Sequence, residues 1–179
     1  MTLMRSVLPL LCSLLVAWHV SAGESDRAAL PVPTEQARVE KLIRDLFKAD
    51  YARTKPVDRL ALATKLMEQA LDTKDDPVAR YVLLREASIL AAKAGDLEQA
   101  FKSVNELTRV YATTGAALKA EVCEAAAPLI TKSGPSGTLA EVALGGFNDA
   151  LDEDDYDAAS RLLKIADAAA SRSKTVALV

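Results

Sequence analysis

Chemistry needs side chains that ionise, ligate metals or attack, and this chain of 179 residues groups few of them. The densest set is Asp152, Glu153, Asp154, Asp155 and Asp157. Carboxylate oxygens at that density are what Ca²⁺ takes. A Ca²⁺ loop starting at Asp152 lacks the expected glycine, and Leu163 stands where its terminal Glu should be. The cluster therefore reads as a solvated turn whose Asp155 caps the next helix and complements its dipole. Asp72, Asp75 and Asp76 read the same way. Tyr51, Tyr81, Tyr111 and Tyr156 read as packing residues rather than a ligand box. Cys123 sits in an Ala-rich stretch and reads as a small core residue, with a reactive or intermolecular thiol as the alternative. Gly145-Gly146 lacks the spacing of a phosphate loop.

The first 22 residues change this inventory. Arg5 supplies a positive start, Val7 to Val20 an apolar run broken by Pro9, Ser13 and His19, and Val20-Ser21-Ala22 small residues ahead of a cut. This is the pattern of a secretory signal peptide cleaved between Ala22 and Gly23. The run is shorter than the roughly 20 residues a membrane span requires, and Cys12 lies inside it rather than after it. Cleavage would remove the lone His (His19) and the lone Trp (Trp18). The mature chain then has no Ser-His-Asp or Cys-His arrangement and no zinc site of the usual N/S type. No cofactor or metal is expected, and catalytic residues are expected to be absent. Loss of Arg5 with all 25 acids kept takes the net charge from −3 to −4. That charge gives no case for nucleic acid, and no later apolar run approaches membrane-spanning length. One remaining cysteine cannot form an internal disulfide. The expected location is periplasmic or extracellular.

The elements that must position any site are helices. Half the residues are hydrophobic and only 4% aromatic; Ala and Leu dominate, which favours helix over sheet. After a linker at 23–33, seven helices are expected within 34–175, followed by a short tail at 176–179. The first runs over 34–53 with Thr34 as N-cap and a stripe of Val39, Leu42, Ile43, Leu46 and Phe47. The second opens at Pro56 with Leu60, Ala63, Met67 and Leu71. The third has Asp76 as cap, Pro77 in its first turn and Gly95 at its end. Asp96 caps the fourth, with Gln99 placed to complete a capping box; its stripe is Leu97, Ala100, Phe101, Val104, Leu107 and Tyr111. The fifth carries Leu118, Val122, Ala125 and Leu129, and Pro128 should kink or end it. Ser133-Gly134-Pro135-Ser136-Gly137 reads as a loop. Thr138 to Glu141 then forms a capping box for the sixth, with Leu139, Val142, Ala143, Phe147, Ala150 and Leu151 inward. There Gly145 and Gly146 weaken the helix and permit close approach of a neighbouring backbone. The seventh starts near Asp155 with Tyr156, Ala159, Leu163, Ala166 and Ala170.

An offset of 59 residues aligns two helix pairs. Ala87, Ala91, Asp96, Leu97, Glu98 and Ala100 fall on Gly146, Ala150, Asp155, Tyr156, Asp157 and Ala159. Both sets read small, small, Asp, large apolar, acid, small: an αα-hairpin with a capped second helix anchored by a large residue. Such hairpins stack into α-solenoids; a compact helical bundle is the alternative.

The stretch EKLIRDLFKADYARTKPVDRLALATKLMEQALDTKDDPVARYVLLREASILAAKAGDLEQAFKSVNEL resembles the tetratricopeptide-like helical region of uncharacterised exported planctomycete proteins. DDYDAASRLLKIADAAASRSK continues the likeness, and 112–153 match it less clearly. The resemblance implies stacked helix pairs with no assigned chemistry at any position. In that family the region often precedes further domains, so the chain reads as a truncated paralogue, a gene fragment or a stand-alone version. The expected function is an exported interaction module that binds a protein or peptide partner. A structural spacer or accessory segment is the second reading, and a carboxylate-only enzyme the third.

Overall fold

The computed structural model describes residues 27–173. The signal segment, its cut between Ala22 and Gly23, the first part of the linker and the 176–179 tail lie outside them. The described residues form eight helices packed on one another, with one isolated bridge between Ala28 and Tyr111. None of these helices is long and apolar enough to cross a membrane.

Helix α1 (Pro33–Leu46) begins one residue before the expected cap. Pro33 takes the first helical position, where its missing N–H costs nothing, and extended Val32 precedes it. Thr34 is thus helical and caps nothing. The single helix expected over 34–53 breaks at Phe47 (φ −98°, ψ 20°) and resumes as α2 (Lys48–Tyr51). The break lets the Phe47 ring turn inward, where it is buried, with the Lys65 ammonium 4.8 Å from its centroid. Val39, Ile43 and Phe47 are buried, but Leu42 and Leu46 are exposed (57% and 77%), so the expected stripe is half the width read from spacing.

Helix α3 (Pro56–Asp72) buries Leu62, Ala63, Leu66 and Ala70 rather than the stripe through Leu60 and Leu71, because it packs between α2 and α4. Helix α4 (Pro77–Ala94) is the centre of the molecule. It buries Tyr81, Val82, Leu83, Leu84, Ala87, Leu90, Ala91 and Ala92 and touches α1, α3, α5 and α6. A helix that is apolar around most of its circumference must be surrounded. Helix α5 (Leu97–Val110) buries the face expected of it, with Phe101 half-buried at its edge.

Helix α6 (Gly115–Ala126) stops just before Pro128, as its ring demands; Leu129 is left exposed outside the helix and Ile130 goes inward instead. Helix α7 (Ser133–Asp152) begins inside the segment expected to be a loop. Pro135 lies in its first turn, where no intrahelical N–H donor is required, and the Ser136 N–H already reaches the Lys132 carbonyl at 2.9 Å. Thr138 is therefore an interior residue and no capping box forms there. Helix α8 (Tyr156–Ser173) buries Ala159, Ala166 and Ala170 as expected, with Leu162 in place of Leu163.

The two hairpins related by 59 residues have equivalent junctions. The Gly95 and Asp96 N–H groups donate to Ala92 and Ala91, both at 3.0 Å. The Asp154 and Asp155 N–H groups donate to Leu151 at 3.2 Å and Ala150 at 2.8 Å. Each is the paired closure of a helix ending in a left-handed residue, Gly95 (φ 85°) in one and Asp154 (φ 55°) in the other. Each then starts a helix by an Asp side chain accepting from the N–H three residues on, Asp96 from Gln99 (2.8 Å) and Asp155 from Ala158 (3.0 Å). The Asp96 N–H is spent on Ala91, so the return half of the expected capping box is not made.

Candidate interaction groove

Spacing along α5 and α7 builds one open groove. Phe101 and Asn105 stand one turn apart on α5, and Val142, Gly145, Gly146 and Asp149 share one face of α7. With Lys119 of α6 they enclose about 280 Å³. Phe101 and Val142 form half-buried apolar walls. Asn105 is exposed and its side chain has no hydrogen-bond partner among the described residues. Lys119 and Asp149 join in an ion pair that ties α6 to α7 at one end.

The two glycines do different work. A Cβ on Gly146 would stand 3.3 Å from both methyls of Leu162, so the close neighbour is a side chain of α8 and not the backbone expected from sequence. A Cβ on Gly145 would meet nothing within 4 Å. Gly145 is exposed on the groove floor, and its absent side chain leaves room for an incoming one.

A second, smaller cavity of about 140 Å³ lies between α1, α2, α3 and α4. Glu86 collects there the Tyr51 hydroxyl (2.7 Å) and Arg44 through both its oxygens (3.0 and 3.1 Å). Burial, then the bond to Glu86, push the Tyr51 phenol far above its ordinary range. The Arg44 guanidinium also lies 5.1 Å from the Tyr51 ring centre. This network joins α1, α2 and α4 across the break at Phe47.

The residues singled out by type are dispersed. In the acidic turn, Glu153 accepts from the Gly115 and Ala116 N–H groups (3.3 and 3.1 Å) and so caps α6 from outside it. Asp154 accepts from the Tyr156 hydroxyl, Asp155 caps α8, and Asp157 pairs with Arg161. Among the described residues, no three His, Cys, Asp or Glu side chains converge as metal ligands would. Asp76 caps α4 through the Ala79 N–H. Cys123 is fully buried, and burial pushes its thiol up to about 12; at neutral pH the reactive thiolate is then scarce. Tyr81 and Tyr111 stack edge to face at 5.2 Å in the core, while Tyr156 is exposed. The carboxyls of Glu98, Glu106 and Glu124 are each pulled below the ordinary range by hydrogen bonds from a basic partner.

Sequence reasoning marked Phe101, Val142 and the glycine pair, but it read the first two only as core. Asn105, Lys119 and Asp149 were not marked. The one-turn spacing of Asn105 from Phe101, and of Asp149 from Gly145, was the available signal.

The chain matches no protein-family model, no curated protein and no solved structure. Its function is read from its own residues.

Proposed function

We propose that this is an exported, repeat-like helical module that binds a peptide segment of a partner protein and performs no catalysis of its own. The groove between α5, α6 and α7 carries the reading. It pairs apolar walls with one free amide, and such a group can both donate to and accept from a peptide bond. Concave apolar clefts with few placed polar groups are the usual form of a binding site. The occupant is a segment with one bulky apolar side chain, seated over Gly145, and a backbone that meets Asn105.

Helices α3 to α8 pack successively, with further contacts of α4 with α6 and α6 with α8. That order, together with the duplicated junction, supports a short α-solenoid of tetratricopeptide-like hairpins over a bundle. Paired guanidinium–carboxylate bridges, Arg85–Glu121 and Arg161–Glu124, reinforce the contacts between alternate helices. The spacer reading calls for uniformly charged outer faces, and exposed Leu42 and Leu46 on α1 count against it. The enzyme reading calls for an acid raised in a pocket, and the carboxyls displaced here move down. Cleavage after Ala22 would deliver the chain to the periplasm or beyond, with Gly23 as the first residue. N-terminal sequencing of the protein recovered from an exporting bacterium checks that cut.

The groove is tested by displaying random peptides to the chain. Peptides carrying a bulky apolar residue should be enriched, and Gly145→Leu should lose them while melting no lower than the parent. Enrichment no greater than for an unrelated helical protein would overturn the reading, as would equal binding by Gly145→Leu.

A further inference from the structure

Another recess stands away from both the groove and the Glu86 cavity, where the start of α4 meets the end of α5. It encloses about 340 Å³ and is walled by Lys74, Arg80 and Arg109 over Pro77, Val110 and Tyr111. Its frame is rigid. The fully buried Tyr111 donates its hydroxyl to the Pro77 carbonyl at 2.6 Å. The strap before α1 closes one side: the Ala28 N–H donates to the Val110 carbonyl and the Ala112 N–H to the Ala28 carbonyl, both at 2.8 Å.

The charges in this frame do not balance. Glu106 is the carboxylate in contact with the basic groups, and two guanidiniums share it. Arg109 donates Nε to Oε2 at 2.8 Å and Nη2 to Oε1; Arg80 donates Nη2 to the same Oε1 at 2.8 Å. Lys74 is exposed and has no ion-pair partner among the described residues. Asp76, next in the chain to Pro77, accepts from the Ala79 N–H at the positive end of α4 and adds a second negative charge beside the recess. Three cations, Lys74, Arg80 and Arg109, thus stand against the two carboxylates of Glu106 and Asp76, a local surplus of one positive charge in a chain whose overall charge is negative. The buried Arg80 Nε also has no hydrogen-bond partner. The Arg80 side chain is partly buried, and turning it toward the recess would bring that unmet donor to an added acceptor.

We propose that this recess binds a phosphate-type oxyanion, either free phosphate or a phosphate monoester. The surplus of positive charge favours an oxyanion. Arg109 and Arg80 offer planar guanidinium donors suited to phosphate oxygens, and Lys74 a mobile point charge. Arg109 alone holds both oxygens of Glu106, so Arg80 is free to turn toward the anion without leaving that carboxylate unpaired.

Isothermal titration of the full chain at low salt with inorganic phosphate, and separately with glycerol phosphate, tests the site. Saturable binding of either is expected, weakened about tenfold by Lys74→Gln with unchanged melting. Tighter binding of glycerol phosphate would identify the ester as the preferred form; equal binding would identify the phosphate group alone. Lys93→Gln, a control in the separate cavity between α1 and α4, should bind as the parent does. Absence of saturable binding up to 10 mM phosphate would overturn the proposal. Equal weakening by Lys74→Gln and Lys93→Gln would also overturn it, since only general charge would then be at work.

Discussion

The hairpins α4–α5 and α7–α8 close by the same hydrogen bonds, yet they fill and shield themselves differently. In the first, the left-handed position is Gly95 and the helix that follows opens on buried Leu97. In the second, Asp154 takes the left-handed position and the next helix opens on Tyr156, 67% exposed. Leu97 is buried and borders a recess that it shares with Ile130 of the α6–α7 connection and with Pro135 and Thr138 of α7. No described element lies over Tyr156 in that way. Its hydroxyl turns back to Asp154 at 3.1 Å. The cores diverge as well: Ala87 and Ser103 of the first pair stand where the second has Gly146 and Leu162. The backbone junction is thus the repeated unit, and side-chain volume is redistributed around it.

The largest effect should come from removing Leu162, which is fully buried beside a residue without a side chain. Leu162→Ala leaves a cavity that Gly146 cannot fill, and a loss of about 3 kcal/mol in urea unfolding is expected. At the equivalent position of the first pair, Ser103→Ala should cost no more than about 1 kcal/mol, since Ser103 Oγ has only a 3.3 Å bond to the Gln99 carbonyl and a 3.6 Å contact with the Met67 sulfur. Equal losses at the two positions would remove the distinction drawn between the cores.

The left-handed residues should respond with opposite signs. Gly95→Ala forces an L side chain to φ 85° and should cost about 1–2 kcal/mol. Asp154→Gly removes the same strain from the second junction and should stabilise it by roughly 0.5–1 kcal/mol, less whatever the exposed Tyr156 bond contributes. Thermal melts of the two variants check both signs.

The caps should behave alike. Asp96→Ala and Asp155→Ala should each lower stability by about 1 kcal/mol, because each removes one acceptor from one N-terminal N–H. A loss confined to one of them would show that the shared geometry does not carry shared weight.

The smallest effect is electrostatic and falls on the first hairpin. The Arg109 hydrogen bonds are the largest cause holding the Glu106 carboxyl below its ordinary 4.5. A carboxyl depressed in the folded state stabilises above its unfolded value, and that contribution fades as pH falls through the folded value. The stability of the parent should therefore decline on acidification below about 4.5 more steeply than that of Glu106→Gln. Denaturant titrations across pH 3 to 6 compare the two slopes.

Much of this architecture was legible in the sequence. Helix starts at Pro56, Asp76 and Asp96, the stop at Gly95 and the stop before Pro128 follow from local chemistry and stand where that chemistry puts them. The break at Phe47 was not legible, because it is stabilised by an inward ring and by the Glu86 network, whose partners are 35 and 42 residues away. The helical start at Ser133 was misread because Gly, Pro and Ser signal a loop in isolation, whereas Pro in a first turn is harmless. The groove was half visible: its apolar residues were marked as core, and only packing turned Phe101 and Val142 toward an opening.

By itself the sequence determined that the chain is helical, where most helices begin and end, and that one hairpin junction occurs twice. Caps, prolines and left-handed residues act within a few positions, so those features are written locally. Tertiary structure alone decided which face of α1, α3 and α8 turned inward, which glycine has room beside it, and which cations share one carboxylate. Those outcomes depend on neighbours tens of residues away, and periodicity gives the width of an apolar face without saying what will cover it.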